Sequence, residues 1–125
     1  MTIEVLKFIS DRLTDAGINY EFGEWKSPIV YPYFTGEYQE ESPITEDGLQ
    51  EAEFVLNGFS RGSWYLLEQE KAKIEKLFSD CTSILPNGSG IDISYSGTLI
   101  IPPDDAELKR IQINLSIKEW RLINE

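Results

Sequence analysis

The sequence predicts a single α+β domain in which two helices cover one face of a mostly antiparallel sheet of about five strands. Two segments repeat apolar residues at the three- and four-residue spacing of an amphipathic helix. Other segments alternate apolar and polar residues, which is the period of a half-buried strand. The order is helix, strand, long hairpin, helix and hairpin, and it predicts a two-layer sandwich. Because 125 residues is near the commonest domain size, we expect one domain over residues 1–125.

The first helix is predicted from an apolar stripe at Ile3, Leu6, Ile9 and Leu13. Thr2 is a suitable N-cap, and Gly17 is a natural C-terminal stop. Residues 18–22 then alternate apolar and polar side chains, so they predict a short strand that ends near Gly23.

A long hairpin with an acidic tip follows. Residues 29–38 and 53–60 are rich in the aromatic and β-branched residues that favour strands. The connection between them contains two turn-prone pairs, Ser42-Pro43 and Asp47-Gly48. Pro32 cannot donate a hydrogen bond to a neighbouring strand, so the first strand is predicted to be an edge strand or to be bulged there.

The second half of the chain predicts a helix and a second hairpin. The helix runs from Trp64 to Ser79 with Ser63 as its N-cap, and a loop over residues 85–90 follows. Residues 91–101 are predicted to be extended. The last strand has the clearest alternation in the chain, with one face formed by Ile111, Ile113, Leu115 and Ile117.

The net charge of −11 is concentrated in one part of the chain. Between Glu21 and Glu53, nine acidic residues are opposed by Lys26 alone. Such a field opposes binding to nucleic acid or to an anionic membrane and favours basic partners or cations. We predict a partner-binding surface at the hairpin, formed by Glu37, Glu40, Glu41, Glu46, Asp47 and Glu51. The alternative is a solvated tip without a partner.

The basic residues of the chain are few, and they give no pattern for nucleic-acid recognition. Four of them flank or occupy the last strand, where we expect solvation or pairing with an acidic neighbour: Lys109, Arg110, Lys118 and Arg121.

Motifs for catalysis and for metal binding are missing from the sequence. There is no histidine, which removes Ser-His-Asp and Cys-His mechanisms and the usual zinc ligand sets. No phosphate-binding glycine motif is present. The carboxylate pairs Glu40/Glu41 and Asp104/Asp105 are adjacent residues, whereas glycosidase chemistry needs two carboxylates opposed across a cleft. We therefore predict a protein that is not an enzyme, without catalytic residues, cofactor or metal.

Cys81 is the single cysteine, so an intramolecular disulfide is excluded, and we expect it to be a small buried residue. The first residues lack the apolar run of a signal peptide, and no stretch approaches the roughly 20 apolar residues of a membrane helix. These observations predict a cytoplasmic protein.

Several stretches resemble small prophage proteins from tail gene modules of Gram-positive bacteria. They are the opening helix, INYEFGEW, YPYFTGEYQEESPITEDGLQEAEFVLNGFSRGSW and AELKRIQINLSIKEW. The element order is also similar to that of phage tail terminator and tail-completion (head–tail joining) proteins. The similarity covers nearly the whole chain, and Tyr33-Phe34-x-Gly36-Glu37 and the closing strand show it best.

The resemblance implies a ring, commonly hexameric, that caps the tail tube and joins it to the head connector. It implies contacts with copies of itself and with other tail or neck proteins. It also implies a location in the bacterial host cytoplasm during assembly and in the virion tail or neck afterwards. Two alternatives remain open, namely an acidic DNA mimic or inhibitor, and another assembly factor such as a connector or tail chaperone.

Overall fold

The computed structural model describes residues 1–41, 44–102 and 107–121, which form two helices and one six-stranded sheet. In chain order the elements are α1 (Ile3–Asp15), β1 (Tyr20–Phe22), β2 (Tyr33–Glu40), β3 (Leu49–Arg61), α2 (Trp64–Leu77), β4 (Cys81–Ile84), β5 (Gly90–Ile101) and β6 (Leu108–Trp120). The strands lie in the order β1-β2-β3-β6-β5-β4. The β1–β2 pair is parallel and the other neighbouring pairs are antiparallel.

The α+β fold class is confirmed, but three details of the prediction are wrong. The sheet has six strands rather than five, it is mixed, and it curls into a half-barrel, so a two-layer sandwich is too simple a description. The missed strand is β4, whose four residues follow closely after a helix and are too few to show a period. The parallel pair arises because the chain crosses back through residues 23–32 before β2 begins.

One hydrophobic core joins both helices to the sheet. Helix α1 buries Val5, Ile9 and Leu13, and α2 buries Leu67 and Ile74. They pack with the side chains of the sheet face that we call the inner face, which include Phe34, Phe54, Leu56, Ile91, Ile93, Ile111, Ile113, Leu115 and Ile117. The alternation predicted for the last strand is therefore confirmed, because its predicted face, Ile111, Ile113, Leu115 and Ile117, is buried.

The centre of the sheet is the pairing of β3 with β6. These strands pair over their full 13 residues, from Leu49 opposite Trp120 to Arg61 opposite Leu108. The predicted long hairpin is confirmed as β2–β3, with Glu40 opposite Ala52 near its tip. Its first strand begins later than predicted, since Pro32 precedes β2 instead of lying inside it.

The two helices begin in different ways. The Ser63 hydroxyl accepts a hydrogen bond from the Tyr65 amide at 3.1 Å, which confirms the predicted cap of α2. Thr2 occupies the cap position of α1, but its hydroxyl donates to the carboxylate of Glu119 at 2.7 Å. Glu119 is buried at the end of β6, and the positive end of the α1 dipole favours a carboxylate there. Glu119 thus ties the start of α1 to the sheet.

Two glycines make space for aromatic rings on the inner face. Gly58 lies opposite Phe34, and a Cβ atom on Gly58 would overlap the Phe34 ring. A Cβ atom on Gly36 would lie 2.5 Å from the Tyr20 hydroxyl oxygen and 2.6 Å from Cζ of Phe54. Both distances are well inside van der Waals contact. The rings therefore fit only because β2 and β3 carry glycine at these two positions.

We predict that Gly58→Ala and Gly36→Ala each lower the free energy of unfolding by about 1–3 kcal/mol, the usual cost of overpacking a core. Thermal unfolding followed by circular dichroism measures this. Gly90→Ala is the matched control, because its new Cβ would lie 3.9 Å from Trp120, an ordinary contact. Equal melting temperatures for Gly58→Ala and Gly90→Ala would contradict this account of the rings.

Candidate functional site

The face of the sheet opposite the core, which we call the outer face, is the largest candidate surface. Both helices contribute to the inner-face core, and neither described helix contributes to the outer face. Polar side chains occupy its middle, including Ser94, Asn57, Gln112, Asn114 and Ser116. They are half-buried, apart from Asn57, which is 8% exposed. A face of this kind is open to solvent or to another chain.

The middle of the outer face is linked by a chain of hydrogen bonds. Arg110 donates from Nη2 to the amide oxygen of Asn57 at 3.3 Å. The amide nitrogen of Asn57 donates in turn to Glu37 at 3.3 Å. Gln112 donates to Asn114 at 3.1 Å on the same face. These contacts fix the orientation of the amides, so the face presents a defined polar surface.

One end of the outer face carries an aromatic cluster. The ring of Tyr33 lies 4.9 Å from that of Trp25, 5.0 Å from that of Phe59 and 5.8 Å from that of Tyr31, measured between centroids. Burial among these rings, with a smaller contribution from Tyr31, raises the pKa of Tyr33 above its ordinary value. Both effects keep the Tyr33 hydroxyl neutral.

Two arginines complete this end. The guanidinium of Arg110 lies 5.3 Å from the ring centre of Phe59, and that of Arg61 lies 5.8 Å from the ring centre of Tyr31. Such cation–π contacts stabilise a cation on an aromatic surface. We call this set the aromatic–arginine patch: Trp25, Tyr31, Tyr33, Phe59, Arg61 and Arg110.

The basic residues near the last strand were expected to be solvated or paired with an acidic neighbour, and two of the pairs are defined here. Lys118 pairs with Glu51 at 3.9 Å, and Arg121 with Glu119 at 3.6 Å. Arg110 forms no ion pair with any described residue, and its Nε is buried without a hydrogen-bond partner there. Arg110 is therefore a cation that contacts the ring of Phe59 and the amide of Asn57.

The six predicted partner-binding acids do not share one face. The alternation of strands β2 and β3 puts Glu37 and Glu51 on the outer face and Glu40 on the opposite side. Glu41 and Glu46 are exposed near the tip, and Asp47 lies in the turn. The structure thus distributes the acids around the hairpin. Ser42 and Pro43 of the predicted turn, and Asp104 and Asp105, lie outside the described residues.

Two of these acids have altered pKa values. A hydrogen bond from the Met1 amino group holds the pKa of Glu40 below its ordinary value. A hydrogen bond from the Thr45 hydroxyl lowers the pKa of Asp47, and the Leu49 amide at 3.4 Å adds to this effect. Asp47 thus has a local structural role in the turn, whereas Glu41 and Glu46 have no contact of this kind among the described residues.

We predict that Thr45→Val raises the pKa of Asp47 towards that of an ordinary aspartate, because the strongest donor is removed. In the wild type the pKa of Asp47 is lower in the folded protein than in the unfolded chain. Ionised Asp47 therefore stabilises the fold at pH values above the pKa that it has in the unfolded chain. That contribution is lost as the pH falls through the folded pKa. Carbon-detected NMR titration of the carboxyl measures the change, with Thr82→Val on β4 as control. An unchanged Asp47 titration in Thr45→Val would contradict the assignment.

Both edges of the sheet are partly without a neighbouring strand in the described part of the chain. Strand β4 pairs only with Gly90–Ile93 of β5, and the Tyr95 amide donates to the Phe78 carbonyl at 2.8 Å. The remainder, Ser96–Ile101, is the open β5 edge. On the other side β1 pairs only with Phe34–Gly36, which leaves Glu37–Glu40 as the open β2 edge. Pro32 predicted an edge or bulged strand, and β2 is an edge strand only beyond Gly36, where β1 ends. The open β5 edge was not recognised in the sequence, because strand lengths and neighbours are set by the fold.

Two open grooves lie beside the helices. One, of about 440 Å³, lies between α1 and the start of the loop that joins β4 to β5. It is lined by Ile3, Glu4, Lys7, Phe8, Asp11, Leu85 and Pro86. The other, of about 420 Å³, is lined by Arg12, Ala16, Lys73, Lys76 and Leu77. Neither lining contains a serine, threonine, tyrosine or cysteine.

Cys81 is buried as predicted, and this burial raises the pKa of its thiol, which disfavours the reactive thiolate. Within residues 1–41, 44–102 and 107–121, no three histidine, cysteine, aspartate or glutamate side chains are grouped as metal ligands would be. Neither of the two described helices has the length and apolar character needed to cross a membrane.

Comparison with known proteins gives the fold and no function. No family model matches the chain, and no curated protein matches it. Nineteen chains of solved structures do match, so the architecture is shared with other proteins. One of them aligns with a TM-score of 0.70 at 14% sequence identity, over 100% of this chain and 99% of its own length. The name of that protein describes no activity or partner.

Proposed function

We propose that the protein is a structural subunit of a phage or prophage tail, a tail terminator or head–tail joining protein that assembles into a ring. The resemblance of the four stretches described above supports this role. The observation that carries the proposal is the difference between the two ends of the sheet. One end has the acidic hairpin and the other has the aromatic–arginine patch.

The strands determine how far apart these ends are. Tyr33 of the patch and Glu40 of the hairpin are the first and last residues of β2. At about 3.3 Å per residue, they are separated by about 23 Å. In a ring whose axis follows the strands, all the hairpins lie on one rim and all the patches on the other. A joining protein needs two unlike surfaces of this kind, because it contacts different neighbours above and below.

The outer face suits the wall of a channel. Its middle carries amides and hydroxyls, and Glu37 and Glu53 add negative charge beside them. These carboxylates oppose binding of the DNA backbone in the middle of the face, whereas the cations of the same face, Arg61, Arg110 and Lys118, lie towards its two ends. The proposal assigns the protein no catalytic role, cofactor, membrane contact or specific nucleic-acid site. It implies a location in the host cytoplasm during assembly and in the virion afterwards.

An acidic DNA mimic is the competing function. It would need carboxylates that are spaced over a broad surface and free to contact a DNA-binding enzyme. Here Glu37 is hydrogen-bonded to Asn57, Glu51 is paired with Lys118, and Asp47 is engaged in its own turn. These contacts count against a broad surface of free carboxylates, which a DNA mimic needs. A connector or tail chaperone would use the same surfaces as a tail terminator.

We predict that replacing five hairpin acids, Glu40, Glu41, Glu46, Asp47 and Glu51, by Gln or Asn leaves the fold intact and impairs tail joining. The fold is checked by circular dichroism. Joining is measured by electron microscopy of induced lysates, as the ratio of complete virions to separate heads and tails. Normal numbers of complete virions would contradict the proposed docking.

A variant with the same change of charge elsewhere is the control. It replaces five exposed acids on and near the helices, namely Glu4, Asp11, Asp15, Glu68 and Asp80. We expect this control to assemble normally. Deletion of the gene from the prophage tests the function itself, since complete virions in its absence would overturn the tail role.

A further inference from the structure

We propose that the open β5 edge is a subunit interface, and that it extends the sheet of a second copy of this chain along the open β2 edge of that copy. This inference rests on the proposed function, because a closed ring requires two unlike surfaces of the subunit to meet. It goes further by naming the two strands that form the contact.

The composition of the open β5 edge is the first argument. Ser96–Ile101 contains no charged residue and no proline, although 26% of the chain is charged. Leu99 is 55% exposed and Ile100 is 57% exposed. Monomeric sheet proteins protect their edges with lysine, proline or inward-facing charge, because a bare edge pairs with other strands. An edge without these features is suited to permanent cover by another chain.

The geometry of β5 separates a covered part from an uncovered part. Strand β4 covers the first four residues, and the register shifts at a bulge between Tyr95 and Gly97. Beyond the bulge Leu99 is opposite Gln112 on the outer face, and Ile100 is opposite Ile111 on the inner face. Apolar side chains therefore flank the open backbone on both faces, which is what a neighbouring strand needs for packing.

The open β2 edge combines exposed aromatic rings with acidic residues. Phe22 and Tyr38 stack beside it with their ring centres 6.2 Å apart, and they are 45% and 39% exposed. The acids Glu37 and Glu40 lie on this edge. A second acidic edge would be repelled by them, whereas the uncharged β5 edge is not. The pairing of β5 with β2 thus avoids a like-charge contact.

The strand directions also fit. Three antiparallel pairings lead from β2 through β3 and β6 to β5, so β2 and β5 run in opposite directions within one subunit. Rotation about an axis along the strands brings β5 of one subunit antiparallel to β2 of the next. The same rotation keeps all the hairpins at one rim. Pairing of β5 with its own copy would give a two-fold dimer and no ring.

A charge-swap experiment tests the contact. We predict that Leu99→Glu with Ile100→Glu weakens self-association at least about tenfold, because it sets new carboxylates against Glu37 and Glu40. Adding Glu37→Lys and Glu40→Lys to the same chain restores assembly. The control adds Glu68→Lys and Glu75→Lys on α2 instead, an equal change of net charge on another surface, and does not restore it. Light scattering over a range of concentrations measures the mass of each variant.

Circular dichroism verifies that each variant is folded, and Ile100→Glu alone provides a milder substitution. The interface is overturned if the wild type stays a monomer, if the β5 variant assembles normally, or if the lysines on β2 fail to restore assembly. The last outcome indicates pairing of β5 with β5 or with a different protein. Each of these results is distinct from failure of the tail role, which is decided by virion formation in the deletion strain.

Discussion

The pairing of β3 with β6 is the constraint on which the rest of the structure depends. These strands lie far apart in the sequence, yet they pair over 13 residues and form the middle of the sheet. Each brings its own hairpin partner, β2 on one side and β5 on the other. Their buried residues lie on the inner face, against which both helices pack. A slip of this register by one residue would move every side chain of one strand to the opposite face.

The same pairing generates the surfaces to which we assign a function. It brings Arg110 of β6 beside Phe59 of β3 and so completes the aromatic–arginine patch. It also fixes the acidic hairpin at the opposite end of the strands. The short outer strands β1 and β4 cover only part of β2 and β5, so the sheet of one subunit has two incomplete edges. A sheet with two open edges, and with different surfaces at the two ends of its strands, is consistent with a subunit whose sheet is extended by neighbouring subunits.

Local patterns predicted much of the fold, and long-range register determined the remainder. The apolar spacing in α1, the cap at Ser63 and the alternation from Ile111 to Ile117 depend on residues close in sequence. The helix, the cap and the alternation were confirmed, but α1 buries Val5, Ile9 and Leu13, and the predicted stripe residue Ile3 is 79% exposed. Strand β4 and the parallel pairing of β1 were missed, because four residues show no period and strand direction depends on the path of a connection.

The aromatic–arginine patch was missed for a related reason, since its residues come from three separate strands and a loop. The individual acids were identified, but their distribution around the hairpin depends on which side of β2 and β3 each one occupies.

The central claim is that neighbouring subunits complete this sheet at its open edges. Hydrogen–deuterium exchange at low and high protein concentration tests it most directly, because backbone amides in a new strand pair become protected. The account predicts that protection increases on assembly at Ser96–Ile101 and at Glu37–Glu40, while the exposed hairpin tip around Glu46 continues to exchange rapidly. Protection that increases at the helices while both edges remain unprotected would contradict it.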